Sequence, residues 1–381
     1  MNHKIHNVID LFCGCGGFGL GAHMAGFNPL LAVDIDKTLS SSYILNFPNT
    51  ALKHYDLAAI ESSVLLNDIG TSDITGIIGG PPCQGFSMMG KREENDPRNE
   101  LIGHFFRHVK NIKPDFFIME NVPGLLSGPM RDKLEKHLKR ASEEYSIIGP
   151  FIVDSSKLGA ATKRERVIVI GYNGKAVRNF SEKDILSLHT NELVTVRDAI
   201  ADLPGPVICE DGSYGWAKID GRRKLSEYAL KAKTTIEGCG WEIALEKLQN
   251  KYVSGLMDTV HTEKVRRRYE AVEPGKSDAV SKSVKLKWEG QAPTLRAGTG
   301  SDKGSYQAVR PLHPDQGRVI TVREAARLQG FPDWFVFHPT KWHSFRMIGN
   351  SVSPHLSSTI LSFINSMLIE EEPITVTNKA A

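Results

Sequence analysis

Cys83 stands in the stretch GGPPCQGFSMMG, behind two prolines and in front of a glutamine. A cysteine that serves packing usually stands among aliphatic side chains at strand or helix spacing, and this one does not. Pro81 and Pro82 restrict the backbone before the thiol, which suits a nucleophile. An ordinary thiol is only a few per cent ionised at neutral pH, so a reactive one needs a positive or hydrogen-bonding environment. An inert cysteine is the alternative at this stage.

A carboxyl group and two guanidinium groups occupy comparable places later in the chain. MENVPG ends an apolar run with Glu120, and TKRERVIVIG opens another with Arg164 and Arg166. Residues two apart lie on one side of a strand. We therefore expect thiol, carboxyl and guanidinium to converge at the edge where open α/β sheets bind their ligands. Taken singly, the glutamate could be a helix cap or a surface acid, and the arginines could protect an edge strand from pairing.

A glycine turn precedes these residues. DLFCGCGGFG follows the first apolar run, and its Gly14, Gly16 and Gly19 match GxGxxG. Glycines permit a tight turn and close approach of a ligand to a helix N-terminus. About 20 residues later, Asp34 could accept hydrogen bonds from ribose hydroxyls, and Asp56 in HYDL could receive an adenine amino group. The pattern predicts a nucleoside-containing cofactor, with a nicotinamide dinucleotide and S-adenosylmethionine equally compatible, and a turn that only packs strand on helix as the alternative.

The elements that must position these groups predict an α/β doubly wound sheet. Five short apolar runs bounded by turn residues have the character of buried parallel strands: NVIDLF, PLLAVDID, ITGIIGG, DFFIMENV and RVIVIGY. The segment GGFGLGAHMAG predicts the first helix, closed by Gly26.

Further helices carry recognisable start signals. DPRNELIGHFFRHVKNI has Asp96 as a predicted N-cap and Pro97 in its first turn, and MRDKLEKHLKRASEEY suits an outer face. In TVREAARLQGF, Thr321 and Glu324 predict a capping box. The amphipathic segment SPHLSSTILSFINSMLIEE, with Ser353 as N-cap, needs an apolar partner, and we expect it to fold back onto the first lobe.

Length and composition bound the remaining possibilities. A chain of 381 residues with 40% hydrophobic and 24% charged residues is long enough for a large domain and a smaller one. No apolar run is long enough to span a membrane, the amino terminus lacks a signal-peptide pattern, and five cysteines without a CxxC pair argue against disulfides and structural zinc. We expect a cytoplasmic protein with reduced thiols and no metal.

The third quarter of the chain differs in composition. From Lys175 to about Gln316 it is richer in glycine, lysine and serine, which predicts a second lobe. Its basic runs KVRRRYE and SKSVKLKW have aromatic residues nearby, as nucleic-acid contacts often do, although a solvated surface explains them equally well.

At this point the chain resembles the DNA cytosine-5 methyltransferases. DLFCGCGGF is similar to the first cofactor motif of that family, GGPPCQGFS to its nucleophile motif, ENV to its glutamate motif and RER to the arginine part of its QxRxR motif. TVREAARLQGFP and IGNSVSP resemble its ninth and tenth motifs, in the usual unpermuted order. The resemblance implies a class I S-adenosylmethionine-dependent methyltransferase fold, Rossmann-like, with a smaller, irregular DNA-recognition domain.

The resemblance also implies a mechanism. Cytosine C5 is a poor nucleophile, so Cys83 would add to C6 of a flipped-out base while Glu120 holds N3 and the exocyclic amine and supplies a proton. Arg164 would contact the O2 side of the base, and Arg166 would support the loop or base less directly. S-adenosylmethionine would give its methyl group to C5 and leave as S-adenosylhomocysteine.

The resemblance assigns the other residues by motif. A loop after the nucleophile would close on duplex DNA, and the contacts expected there are Gln84, Ser87, Lys91, Arg92 and Arg98. The cofactor residues carried over are Phe12, Gly14, Cys15, Gly17, Asp34, Ile35, Asp56, Asn350 and Ser351. Two positions depart from the family: Thr162 replaces the glutamine of QxRxR, which puts one supporting hydrogen bond in doubt, and Ile35 replaces an aromatic residue, so adenine would pack on an aliphatic surface.

The domain organisation implied is a catalytic and cofactor-binding domain over 1–174, a target recognition domain over 175–316 and a C-terminal segment over 317–381 that completes the first. We expect a monomer acting on a specific duplex DNA sequence in association with the nucleoid; a cognate restriction endonuclease is a compatible functional partner that the sequence alone does not identify. Three alternatives differ in class. An NAD-dependent oxidoreductase would leave the thiol, glutamate and arginines without a joint task. A non-catalytic DNA-binding relative would have no reason to retain them. A transfer RNA cytosine-5 methyltransferase is a nearer alternative, but the large variable lobe favours duplex DNA as the substrate.

Overall fold

The computed structural model describes residues 5–82, 100–210, 212–221, 224–297 and 310–369. Within these ranges a seven-stranded sheet forms the centre of the molecule, with strand order β3-β2-β1-β4-β5-β7-β6. Its strands are β1 (His6–Leu11), β2 (Phe27–Val33), β3 (Ala51–Lys53), β4 (Gly76–Gly79), β5 (Phe116–Asn121), β6 (Ser146–Asp154) and β7 (Glu165–Tyr172). The helices that connect them are α1 (Gly17–Met24), α2 (Tyr43–Asn46), α3 (Ser62–Ile69), α4 (Leu101–Ile112) and α5 (Pro129–Ala141). The predicted doubly wound, mostly parallel α/β sheet is confirmed.

One strand direction differs from the expectation. RVIVIGY was expected to be a parallel strand, and this is wrong: β7 pairs antiparallel with β5 on one side and with β6 on the other. β6 itself was not predicted. Only residues 155–164 separate β6 from β7, and a parallel crossover needs a dozen residues or more, usually with a helix. The short connection therefore forces the chain to turn back.

The sheet is covered on both faces, as its apolar alternation requires. Val8 points into a cluster with the helix over 354–367, whereas its neighbour Ile9 points into a cluster with α3, α4 and α5. The charged α5 exposes most of its surface and buries Met130, Leu134 and Leu138, as expected for an outer helix. The described part of α4 begins at Leu101; Asp96 and Pro97, its predicted start, lie outside the described residues.

The third quarter of the chain forms short elements. They are α6 (Glu182–Leu186), α7 (Val196–Ile200), β8 (Ala217–Lys218), α8 (Glu227–Lys231), α9 (Glu242–Gln249), β9 (Tyr252–Val253) and α10 (Glu263–Glu270), with β8 and β9 paired antiparallel. Val177 pairs with Leu368, and Ile185 joins the apolar cluster on one face of the sheet. The residues just past 175 therefore pack against the seven-stranded sheet and the C-terminal segment. The domain division at 174 and 316 stays a prediction.

Three helices follow, α11 (Val322–Gln329), α12 (Lys341–Asn350) and α13 (Pro354–Met367). The capping box of Thr321 and Glu324 is confirmed, and so is Ser353 as the N-cap residue of α13, although its hydroxyl donates to the Gln329 carbonyl oxygen (3.0 Å) and not to its own helix. α13 packs on α1, as expected: the Ser357 hydroxyl donates to the carbonyl oxygen of Gly17 at 3.3 Å.

A buried ion network joins α11 to the third quarter of the chain. Arg327, with a fully buried side chain, donates to both carboxylate oxygens of Asp333 (2.6 and 2.7 Å) and of Asp202 (3.2 Å each). Lys233 donates to Asp202 at 2.7 Å, and Arg323 binds the backbone and the hydroxyl of Ser254. Buried charges persist only when they are paired in this way, so these contacts fix the third quarter of the chain against the C-terminal segment.

Candidate active site

Three strands bring their polar ends to one edge of the sheet. β4 ends at Gly79 and β5 at Asn121, and because β7 is antiparallel its first residues lie at the same edge. A parallel strand would have carried Arg164 and Arg166 to the opposite edge. The predicted convergence of carboxyl and guanidinium groups therefore depends on the strand reversal that the local sequence pattern did not reveal.

Glu120 and Arg166 form a close ion pair at this edge. The Nε of Arg166 lies 2.7 Å from Oε1 of Glu120, and each side chain is 10% exposed. The other carboxylate oxygen, Oε2, faces Gly80, where an added Cβ would lie 3.3 Å away. Gly80 precedes Cys83 by three residues, so the carboxylate borders the segment that leads to the predicted nucleophile.

Asn121 fixes that segment. Its side-chain amide donates to the carbonyl oxygen of Pro81 at 2.8 Å, and its Oδ1 accepts from the N–H of Val122 at 2.9 Å. The sequence analysis assigned Asn121 no role, although its place directly after Glu120 in ENV was a usable signal. Cys83 and the expected DNA contacts lie outside the described residues; these contacts are Gln84, Ser87, Lys91, Arg92 and Arg98.

Arg164 is not placed to contact a base. It is 1% exposed, and its guanidinium donates to the backbone carbonyl oxygens of Leu295 (3.2 Å), Gly349 (2.8 Å) and Ser351 (2.8 Å). The expectation that it binds the O2 side of cytosine conflicts with this geometry, because a buried guanidinium on three carbonyls has no face open to a ligand. Arg164 joins three distant segments instead.

Thr162, the departure from QxRxR, also has a defined contact. It is fully buried, and its hydroxyl lies 3.2 Å from the carbonyl oxygen of Ala292 and 3.1 Å from that of Pro293. A backbone bridge between Thr162 and Ala292 continues this contact. The shorter side chain thus ties the strand that carries the arginines to residues 292–295.

The glycine turn and Asp34 are in direct contact. Oδ2 of Asp34 accepts from the N–H of Gly14 at 2.8 Å, and Oδ1 accepts from the N–H of Asp36 at the same distance. Burial raises the pKa of Asp34, and these two N–H groups oppose that rise. Each carboxylate oxygen keeps a lone pair for a ligand hydroxyl. Phe12 and Gly14 both have positive φ, 60° and 52°, so the turn at the end of β1 is tightly bent.

The packing around the turn separates residues that can face a ligand from residues that contact protein. An added Cβ at Gly14 would meet nothing within 4 Å, which leaves an open cradle over the backbone. At Gly17 it would lie 2.3 Å from the carbonyl oxygen of Val352 and 3.0 Å from Cβ of Ser351, so the C-terminal segment closes directly on the turn. Cys15 is 2% exposed and burial raises its pKa to about 12, so only its backbone can face a ligand.

The remaining predicted cofactor residues differ in their exposure and in their hydrogen bonds. Ile35 directly follows Asp34 and is 66% exposed, an aliphatic side chain left open to solvent. Asp56 is exposed, and its Oδ1 accepts from the N–H of Ala58 at 2.9 Å. Asn350 is exposed at the end of α12, whereas the Ser351 hydroxyl donates to the Ile348 carbonyl oxygen at 2.9 Å.

Asp10 is a polar residue of the turn that sequence reasoning missed. It is 1% exposed, and an added Cβ at Gly19 would lie 2.8 Å from its Oδ2 and 2.9 Å from the hydroxyl oxygen of Tyr43. Burial raises the pKa of Asp10 well above its ordinary value. The third glycine of GxGxxG is therefore required by this packing and not by a ligand.

The basic runs have more protein partners than expected. Arg267 pairs with Glu263 and Arg268 with Asp278, each at 2.9 Å. Lys285 is 5% exposed and donates to the last carbonyls of α10, so its expected role as a phosphate contact is wrong. Among the residues that the structure describes, no group of three or more His, Cys, Asp or Glu side chains could hold a metal ion, and no helix has the length and apolar character to cross a membrane.

Comparison with known proteins places this geometry in context. The family model for C-5 cytosine-specific DNA methylase matches residues 6–366. Type II methyltransferase M.XorII of Xanthomonas oryzae pv. oryzae is 38% identical over 360 residues, covering 92% of this chain and 82% of that protein. Type II methyltransferase M.DdeI of Desulfomicrobium norvegicum is 32% identical over 407 residues, covering 97% of this chain and 92% of that protein.

Solved structures agree at the level of fold. A chain described as a DNA modification methyltransferase encoded within an E. coli prophage superposes with a TM-score of 0.85 at 38% identity, over 95% of this chain and 99% of that one. The Dnmt2 methyltransferase of S. pombe gives a TM-score of 0.60 at 17% identity, over 95% of this chain and 98% of that one, and shows the shared fold alone.

Proposed function

The chain belongs to the family of C-5 cytosine-specific DNA methylases and is a DNA cytosine-5-methyltransferase, and on that premise we propose that Cys83, Glu120 and Arg166 act together on a cytosine swung out of duplex DNA. The observation that carries this proposal is the buried Arg166–Glu120 pair beside Gly80, the residue from which the chain runs on to Cys83. Neither the oxidoreductase nor the transfer RNA alternative finds support in the comparisons.

Each of the three residues has one task. The thiolate of Cys83 forms a bond to C6, and Glu120 gives a proton to N3 as that bond forms, so the electron density moves to C5. Arg166 holds Glu120 in register by its 2.7 Å contact and is the guanidinium nearest the base. Once C5 has taken the methyl group, solvent accepts the C5 proton, the Cys83 sulfur leaves C6 as thiolate and Glu120 takes back the proton from N3, which restores the aromatic ring. The tasks first expected for the two arginines are thus exchanged.

Arg164 acts through other residues. Its guanidinium fixes the carbonyls of Gly349 and Ser351, and its backbone leads directly into the strand that carries Arg166. A shift of the C-terminal segment would therefore reach the base site through this one side chain. We assign Arg164 as a positioning residue.

The residues at the glycine turn fit S-adenosylmethionine. This cofactor supplies an electrophilic methyl group on its sulfonium. The open cradle over Gly14 admits a ligand close to the backbone, and Asp34 retains acceptor capacity for ribose hydroxyls. The exposed Ile35 offers an apolar surface for adenine, and the exposed Asp56 offers a carboxylate for the adenine amine. Phe12, Cys15 and Gly17 complete the turn, and Asn350 with Ser351 closes it from the C-terminal side.

A covalent trap tests the proposal. Duplex DNA that contains 5-fluorocytosine should capture the protein in the presence of S-adenosylmethionine, because fluorine blocks the final loss of the C5 substituent. Cys83→Ala should abolish capture and transfer of labelled methyl groups while cofactor binding persists. Cys239→Ala is the matched control, since Cys239 is 3% exposed inside an apolar cluster, so its thiol cannot reach a base, and the variant should leave capture intact. Capture that persists in Cys83→Ala would contradict the assignment.

A further inference from the structure

Two aliphatic side chains in the third quarter of the chain are exposed to an unusual degree. Ile208 is 88% exposed and Val260 is 81% exposed. Each lies in a segment that backbone hydrogen bonds hold in place: the N–H of Val207 donates to the Leu256 carbonyl oxygen (2.7 Å), and the N–H of Asp258 donates to that of Val207 (2.9 Å). We call residues 207–210 and 257–261 together the reading surface.

The reading surface has a fixed backbone under exposed side chains. Val207 and Met257 form a parallel bridge, so Ile208 stands beside Asp258 and Val260 follows two residues further along. Met257 is buried against the hairpin of β8 and β9, and Gly215 packs on it. Two exposed aliphatic side chains on a fixed support gain free energy when a partner covers them.

Cationic groups surround the same segments. The ammonium group of Lys341 donates to the carbonyl oxygen of Asp258. Arg266 is exposed on α10, which begins two residues after His261, and the guanidinium of Arg310 lies over the Phe345 ring of α12 at 4.3 Å. A cationic border around apolar side chains matches a duplex, whose phosphates flank the apolar and polar edges of its bases.

The reading surface also lies within reach of the active site. Lys341 opens α12, and at its far end Gly349 and the following Ser351 present the carbonyls that Arg164 holds. Ten helical residues span about 14 Å, which is the rise of about four base pairs. α12 therefore separates the reading surface from the carbonyls that Arg164 holds by a distance that a few base pairs of duplex DNA can span.

We propose that Ile208 and Val260 read base edges in the major groove beside the target cytosine, with the exposed Arg266 on a flanking phosphate. The inference rests on the proposed function and adds residues that determine its sequence specificity. Aliphatic side chains distinguish bases through the C5-methyl group of thymine and the apolar C5–H edge of cytosine. Glu210 and Asp258, in the same two segments, are acceptors that suit the cytosine N4 amino group.

The test compares Ile208→Ala and Val260→Ala with Ile5→Ala in the full-length chain. Ile5 is 67% exposed and precedes β1, at the edge of the sheet opposite the active site. Bisulfite sequencing of DNA methylated by each protein gives the target and its rate. Each reading variant should methylate the wild-type target about 5- to 30-fold more slowly, equivalent to about 1 to 2 kcal/mol, or accept a second base at one position of the target.

A second pair of variants tests the cationic border. Arg266→Gln should reduce the slope of log affinity against log salt by about 1 on every duplex without changing the target sequence. Arg267→Gln is the matched control, because Arg267 is already paired with Glu263. An unchanged slope in Arg266→Gln would remove the phosphate contact and with it the charge argument for a duplex here.

The outcomes separate this inference from the proposed function. An active wild-type chain whose reading variants keep its rate and target would overturn the inference alone. Activity lost together with a lowered unfolding midpoint would also overturn it, since Ile208 and Val260 would then serve the fold, and so would a change in oligomeric state, which would identify a second copy as the occupant. A wild-type chain that methylates no cytosine in duplex DNA would overturn both.

Discussion

The Arg166–Glu120 pair allows a quantitative test of the active-site geometry. Arg166→Met keeps the length of the side chain and removes its charge, which leaves the Glu120 carboxylate 10% exposed without its 2.7 Å partner. Loss of one member of a buried ion pair costs about 3 to 5 kcal/mol. Glu120→Gln in the same chain removes the stranded charge. The double variant should therefore be more stable than Arg166→Met alone, with a coupling of about 2 kcal/mol.

Urea unfolding of the four proteins, followed by tryptophan fluorescence, measures this coupling. All three variants should also lose methyl transfer by about 100-fold or more, because proton transfer by a positioned side chain contributes that much, while the affinity for S-adenosylmethionine stays within a few-fold of wild type. Stability losses that simply add would show that the two charges act independently in water. The convergence of strand ends at this edge would then be refuted as the basis of the site.

Three further predictions concern the supporting structure. Arg164→Lys should weaken S-adenosylmethionine binding and slow transfer together by about tenfold, because one ammonium group cannot span three carbonyls; calorimetry that shows unchanged affinity would contradict its positioning role. Gly17→Ala should abolish cofactor binding, because its Cβ would lie 2.3 Å from the Val352 carbonyl oxygen. At Gly14 an added Cβ has open space and only the φ of 52° opposes it, so Gly14→Ala should lose only about 1 kcal/mol of stability. Burial lowers the pKa of His23 from 6.5 to about 4. As the pH falls, the unfolded chain therefore takes up a proton at His23 before the folded chain does. Stability should fall by up to about 3 kcal/mol between pH 6.5 and 4, and His23→Gln should flatten that slope in acid titrations of the unfolding midpoint.

Local sequence signals predicted the elements that depend on local physics. The short apolar run NVIDLF predicted β1, the glycines after it predicted the turn, and the spacing to Asp34 predicted an acid near that turn, although its contact with Gly14 was not foreseen. The capping box of Thr321 was equally predictable from the sequence, because both of its hydrogen bonds join residues three apart.

The parts that could not be predicted depend on contacts between distant segments. The direction of β7 is set by the short connection after β6, a strand whose glycine and proline interrupt the apolar pattern of SIIGPFIVD. Which arginine is left to pair with Glu120 is decided by the carbonyls of Leu295, Gly349 and Ser351, and these lie 131 to 187 residues from Arg164. No motif spacing encodes such contacts.

The closure of the glycine turn by the C-terminal segment also governs when activity can arise during synthesis. Gly17 and its partner Ser357 are separated by 340 residues, so a ribosome adding about 5 to 20 residues per second takes roughly 17 to 70 s to bring them together. During that interval the surface of α1 that α13 will cover is bare and is a site for chaperones to hold. We therefore expect the nascent chain to bind its cofactor only after α13 has emerged.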